Sequence, residues 1–143
     1  MSAAWCKPCN ELAGWLAFDE GDIKTNRWWK SEYETVKDKI RNGDIYFINI
    51  QYEDYYHETA NPESIEEWYS TYPEDNIPIL MDNKRQMHGW ARPTGLPCVF
   101  IVDENMNFVK FTTRGLDIAF DYIAGLTKAK SVPLKKEKHI APK

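Results

Sequence analysis

Two cysteines, Cys6 and Cys9, stand three positions apart in the stretch "AAWCKPCN" at residues 3–10. If a helix begins here, the two side chains lie on one face and can close a small disulfide ring. Free N–H groups and the dipole at a helix N-terminus stabilise a thiolate. This placement predicts Cys6 as the exposed nucleophile and Cys9, one turn further in, as the more buried cysteine that resolves a mixed disulfide.

The residues between the cysteines agree with redox chemistry. Lys7 brings a positive charge near a thiolate, and Pro8 suits the first helical turn because it lacks an N–H. The spacing alone leaves two alternatives, an inert pair and half of a metal site. None of the other candidate ligands is paired at zinc-ligand spacing. They are His57, His88, Cys98 and His139.

The rest of the chain must position this pair, and its pattern alternates between helices and strands. Apolar periodicity and capping residues predict helices over 10–18, 31–41, 61–72 and 117–129, with a short helix or turn over 85–91. Strands are predicted over 45–52, 77–82, 97–103 and 108–114. The turn between the last two is too short for a parallel crossover, so they must pair antiparallel. We therefore expect an α/β fold with a mixed β-sheet flanked by helices.

A second chemical feature is Pro97 in "TGLPC" at residues 94–98. It opens an apolar strand, where a proline is restricted to the strand start or an edge. Proline is also the residue before which a cis peptide bond costs little. Taken alone, Pro97 is equally consistent with an ordinary turn.

Together and in this order, "WCKPC" and "GLPC" resemble the active-site motif and the cis-proline loop of the thioredoxin superfamily. The order of elements after residue 76 extends the resemblance. It consists of a strand ending in aspartate, a short helix, a glycine-x-proline, a strand ending "IVDENM" and a returning strand. This order is similar to the TlpA/ResA type, which is related to the AhpC/TSA group. The resemblance covers about residues 3–126.

The resemblance implies a thiol–disulfide oxidoreductase that reduces or exchanges protein disulfides with a Cys6–Cys9 disulfide and no other cofactor. Its partners would be a protein thiol or disulfide substrate and a reductant or oxidant protein. In such a site Trp5 flanks the cysteines. Pro97 lies beside them in the cis form, and the backbone of Leu96 pairs with an extended substrate.

The residues between the cysteines would tune this site. Lys7 and Pro8 occupy the two positions on which the reduction potential partly depends. A lysine there should stabilise the thiolate and so make the disulfide a better oxidant.

Two other functions remain as alternatives. A redox-inactive interaction module of the same fold typically lacks one cysteine, whereas this chain keeps both. A thiol peroxidase usually has a threonine shortly before its reactive cysteine, and this chain has none there.

The chain also departs from the family pattern. Residues 1–5 are similar to the end of a central strand, and the strands expected before the CxxC are missing. No buried acid can be assigned as the proton acceptor for Cys9, and Glu11 is only a weak candidate. Trp28 and Trp29 lie in an additional segment and are interpreted as extra core rather than a partner surface. Cys98 is expected to be a buried, inert thiol that points away from Cys6.

Composition limits the class of protein. The 143 residues, 43% hydrophobic, suit one domain over 1–127 followed by a basic, frayed tail over 128–143. Net charge is −4, and because the tail carries +5 the domain is acidic, which argues against a nucleic-acid partner. No apolar run is long enough to span a membrane, and no signal peptide follows Met1. The resemblance favours a periplasmic or other extracytoplasmic location, and a cytoplasmic one stays open.

Overall fold

The computed structural model describes residues 1–126. Five α-helices lie in this part: α1 Lys7–Phe18, α2 Glu34–Arg41, α3 Pro62–Thr71, α4 Gln86–Ala91 and α5 Asp117–Ala124. Its four β-strands are β1 Asn49–Gln51, β2 Ile79–Met81, β3 Val99–Val102 and β4 Phe108–Thr112. Two 3₁₀ turns, Asp22–Thr25 and Ser31–Tyr33, lie between α1 and α2. The expected mixture of helices and strands is confirmed.

The ends of α1 follow from local chemistry. Cys6 has an extended backbone and caps the helix by accepting a hydrogen bond from the N–H of Cys9. At the other end Asp19 adopts a left-handed conformation and donates its N–H to the carbonyl of Trp15. Gly21, with φ 116°, then turns the chain in a conformation that a side chain would strain. Both cysteines therefore lie at the start of a helix, as expected.

The strands form two small sheets. β1 and β2 pair in parallel, with Ile50 opposite Leu80. β3 and β4 pair antiparallel, with Phe100 opposite Phe111. The predicted antiparallel hairpin is therefore confirmed.

The extended segment 1–4 lies between the two sheets. On one side, the N–H of Ser2 donates to the carbonyl of Ile50 at 2.8 Å. On the other side, Met1 and Cys98 exchange two backbone hydrogen bonds, of 2.6 and 3.1 Å. The spatial order is thus β2, β1, segment 1–4, β3 and β4, a mixed arrangement in which α1 starts directly after the central segment.

Two buried clusters hold these elements together, and α1 contributes to both. The first cluster is Leu12, Trp15, Leu16, Ile23, Tyr33, Val36, Ile40, Ile77, Leu116, Phe120 and Ile123. The second cluster is Met1, Ala3, Ala4, Cys6, Cys9, Tyr52, Trp68, Ala91 and Cys98. Trp28 and Trp29 pack against the first cluster, so their interpretation as extra core is confirmed.

The strands are shorter than predicted. Of the predicted strand 45–52, only Asn49–Gln51 pairs with another strand. Residues 45–48 still alternate between buried and exposed side chains: Ile45 and Phe47 pack on the first cluster, whereas Tyr46 and Ile48 are exposed. This stretch has no partner strand among the described residues. The end of the predicted helix 117–129 and the basic tail 128–143 lie outside the described residues.

Candidate dithiol site

Cys6 and Cys9 form a disulfide in the first turn of α1, with their Cα atoms 5.2 Å apart. The N–H of Cys9 lies 3.3 Å from Sγ of Cys6. The side chain of Asn10 donates to the carbonyls of Ala4 and Cys6, both at 2.8 Å, which fixes the turn into the helix. After reduction, the Cys6 sulfur would face free N–H groups that stabilise a thiolate.

The prediction that Cys6 is the exposed member of the pair is wrong for this disulfide form. The exposed fraction is 2% for Cys6 and 3% for Cys9. Both residues belong to the second cluster, so the side of this turn that carries the cysteines packs against the protein, while Lys7 and Pro8 are exposed. The disulfide is therefore nearly covered.

Lys7 and Pro8 lie where the sequence places them, in the first turn of α1. The side chain of Lys7 is 81% exposed and its ammonium lies 3.7 Å from a carboxylate oxygen of Glu11. Glu11 also accepts a hydrogen bond from Asn26 at 3.4 Å. The charge of Lys7 is therefore solvated and partly offset by its neighbour.

The peptide bond between Leu96 and Pro97 is cis, as the resemblance implies. The N–H of Gly115 donates to the carbonyl of Pro97 at 2.9 Å, which ties this loop to the end of β4. Leu96 packs against the second cluster, the one that contains both cysteines of the disulfide. Within residues 1–126 its own backbone N–H and carbonyl make no hydrogen bond.

Trp5, the residue before Cys6, lies in a polar network. Its indole N–H donates to a carboxylate oxygen of Glu53 at 2.6 Å, and its ring stacks on His57 at 4.7 Å. The other Glu53 oxygen lies 2.6 Å from the guanidinium of Arg85. The Trp5 ring is therefore held by Glu53 and His57, partners that the sequence analysis did not name.

Glu53 is the main functional candidate that sequence reasoning missed. It follows the predicted strand 45–52 directly, so it lies at the strand's carboxyl end. The CxxC also follows the end of an extended segment, 1–4, that pairs in parallel with β1. Ends of parallel strands meet at one edge of a sheet, and that rule could have placed Glu53 near the cysteines.

Cys98 is a buried free thiol, as predicted. Burial raises its pKa above the usual thiol value, and the neighbouring Met1 amino group opposes that rise. Cys98 joins the second cluster together with Cys6 and Cys9, next to the Met1 backbone with which it pairs. At neutral pH Cys98 is therefore a poor nucleophile.

Two other kinds of site were sought in the described part of the chain. Residues 1–126 contain no group of three or more His, Cys, Asp or Glu side chains close enough to hold a metal ion. None of the helices described here is both long and apolar enough to cross a membrane.

We also compared the chain with known protein families, curated proteins and solved structures. None of them matched. The functional argument therefore depends on the geometry of this chain and on the motifs in its sequence.

Proposed function

We propose that the protein is a thiol–disulfide oxidoreductase that reduces or exchanges disulfides in other proteins. One observation carries the proposal: the Cys6–Cys9 disulfide at the start of α1 packs in one cluster with Leu96 of the cis-proline loop. The unpaired backbone of Leu96 supports it further, because an extended substrate could add to it as a strand would.

In the proposed reaction the reduced protein donates two electrons to a substrate disulfide. The Cys6 thiolate attacks one substrate sulfur, a mixed disulfide forms, and the other substrate sulfur leaves as a thiolate. Cys9, once deprotonated, then attacks the Cys6 sulfur, which closes the Cys6–Cys9 disulfide and releases the second substrate thiolate. An external dithiol must reduce the pair again before the next cycle.

Insulin reduction by dithiothreitol tests this activity. The wild-type chain should accelerate insulin precipitation, because Cys6 relays electrons from dithiothreitol to insulin disulfides. Cys6→Ser should fall to the rate without protein, and Cys98→Ala, the matched control, should stay near wild type. A wild-type rate equal to the rate without protein would contradict the proposal.

A second candidate is a redox-inactive interaction module, in which the disulfide only stabilises the fold. Two observations favour it. The disulfide is almost fully covered, and Trp90, Phe108 and Phe111 form an exposed aromatic group on α4 and β4. Exposed apolar groups of this kind often mark protein contacts. If this candidate is correct, wild type and Cys6→Ser would give the same insulin rate.

A further inference from the structure

Glu53 is a nearly buried carboxylate with both oxygens engaged. Oε2 accepts the indole N–H of Trp5 at 2.6 Å, and Oε1 lies 2.6 Å from the guanidinium of Arg85. The side chain is only 11% exposed. Two charge-assisted contacts in a position largely shielded from solvent prevent the carboxylate from rotating freely. Glu53 is therefore a rigid acceptor for the indole.

The surroundings of Trp5 restrict its ring from other directions too. The N–H of Ala4, the residue before Trp5, donates to the backbone carbonyl of Glu53 at 2.9 Å. On another side the ring stacks on His57, whose Nδ1 lies 4.0 Å from Glu53. Backbone and side chain of Glu53 thus fix both the position and the orientation of the residue that directly precedes Cys6.

We propose that Glu53 is a positioning residue for the dithiol site: it fixes the ring of Trp5, the residue before Cys6, and thereby limits how fast an external thiol reaches the disulfide. The proposal rests on the proposed function, in which Cys6 is the sulfur that exchanges. Cys6 is 2% exposed whereas Trp5, its neighbour in the chain, is 38% exposed, so the ring forms part of the surface at this point. Releasing the indole from Glu53 allows the ring to move and opens a path to the sulfur.

The test measures the reaction of dithiothreitol with the Cys6–Cys9 disulfide itself, by alkylation of the released thiols and mass spectrometry. Glu53→Ala should accelerate this reaction roughly three- to tenfold, the population change expected for loss of one hydrogen bond. Trp5→Phe keeps a ring but loses the N–H donor, and it should accelerate the reaction by a similar factor.

Three further variants make the test specific. The double variant Glu53→Ala with Trp5→Phe should react no faster than either single variant, because both changes remove one interaction. Glu53→Gln retains an acceptor oxygen and should stay within about twofold of wild type. Glu104→Gln, which removes an exposed carboxylate in the turn between β3 and β4, should leave the rate unchanged.

The proposal is overturned if the Trp5→Phe rate equals wild type, or if the two single effects multiply in the double variant. If Glu53→Ala does not fold, the rates of Trp5→Phe and Glu53→Gln decide. A faster reaction in Trp5→Phe together with an unchanged rate in Glu53→Gln supports the proposal, and any other pattern overturns it. The reaction is stoichiometric and uses no insulin. Its outcome is therefore separable from the test of oxidoreductase activity.

Discussion

The sulfur atoms of Cys6 and Cys98 have different surroundings although both residues are buried. Sγ of Cys6 lies at the start of α1, 3.3 Å from the N–H of Cys9, where a negative charge is stabilised. Cys98 belongs to the same second cluster but lies just before β3, and burial raises the pKa of its thiol. After reduction, Cys6 is therefore the better nucleophile at neutral pH.

The charge of Lys7 should influence the reduction potential of the Cys6–Cys9 pair. Lys7→Ala should make the Cys6–Cys9 pair slightly less oxidising, because the ammonium favours the reduced, thiolate form. The side chain is exposed and paired with Glu11, so the expected shift is only about 10 mV, the equivalent of roughly 0.5 kcal/mol. Equilibration with glutathione measures it. A shift toward a more oxidising potential, or one beyond about 30 mV, would disagree with the solvated position of Lys7.

At the scale of elements, α2 holds the far end of the helix that carries the cysteines. The ammonium of Lys37 donates to the carbonyl of Trp15 at 2.8 Å and pairs with Asp19, both at the end of α1. The guanidinium of Arg41 adds a longer hydrogen bond, 3.4 Å, to the carbonyl of Leu16. The Trp15 carbonyl also accepts the N–H of Asp19, so Lys37 is its second donor. Arg41 reaches a carbonyl that the last turn of α1 leaves without an intrahelical partner.

Lys37→Met tests this anchoring. Methionine keeps most of the apolar stem but removes the buried ammonium, so the Trp15 carbonyl keeps only the N–H of Asp19 and the Asp19 carboxylate loses an ion pair. The free energy of unfolding, measured with urea, should fall by about 1–3 kcal/mol. The matched control Lys24→Met breaks an exposed ion pair with Glu34 and should cost less than about 1 kcal/mol. Equal losses in the two variants would show that Lys37 does not anchor α1.

Elements that depend on contacts between neighbouring residues could be predicted from the sequence. Elements that depend on partners far away in the chain could be predicted only in part. The start of α3 follows from Asn61 as the cap and Pro62 at the first helical position, and the structure adds Ser64, which completes a capping box within three residues. The strand predicted over 45–52 was too long because pairing depends on β2, which the pattern of one segment cannot reveal. The Trp5–Glu53 hydrogen bond joins residues 48 positions apart. The sequence analysis missed it because the pattern around either residue does not reveal so distant a partner.

At the scale of the whole molecule, distant parts of the chain meet around the first and second clusters. Segment 1–4 joins the two small sheets, and α1 extends from the second cluster at Cys9 to the first at Leu12. Helix α5 is tied back to the segment before α2 through Asp121. This residue accepts hydrogen bonds from the Lys30 ammonium and the Tyr33 hydroxyl, both at 2.6 Å.

Asp121 gives a pH-dependent prediction. The Lys30 ammonium, and after it the Tyr33 hydroxyl, lowers the pKa of Asp121 below its usual value. A carboxyl with a lowered folded-state pKa adds stability above its unfolded pKa of about 3.9 and loses it as pH falls through the folded value. Asp121→Asn should therefore be less stable than wild type at pH 7, and the difference should shrink below about pH 4. Urea unfolding of both proteins at pH 7 and at pH 3 measures this difference in stability.

The control for this experiment is Glu66→Gln, which removes an exposed carboxylate on α3. Its stability relative to wild type should change little between the two pH values. A loss in Asp121→Asn that stays constant down to pH 3 would rule out the charge of Asp121 as its cause.

The central claim is that Cys6 attacks and Cys9 resolves, and trapping with oxidised glutathione tests it most directly. Reduced Cys9→Ser and reduced Cys6→Ser, each combined with Cys98→Ala, are mixed with oxidised glutathione, and the mixed disulfide is followed by mass spectrometry. We expect Cys9→Ser to form a glutathione adduct on Cys6 at least about tenfold faster than Cys6→Ser forms one on Cys9. Equal rates, or a faster reaction at Cys9, would contradict it.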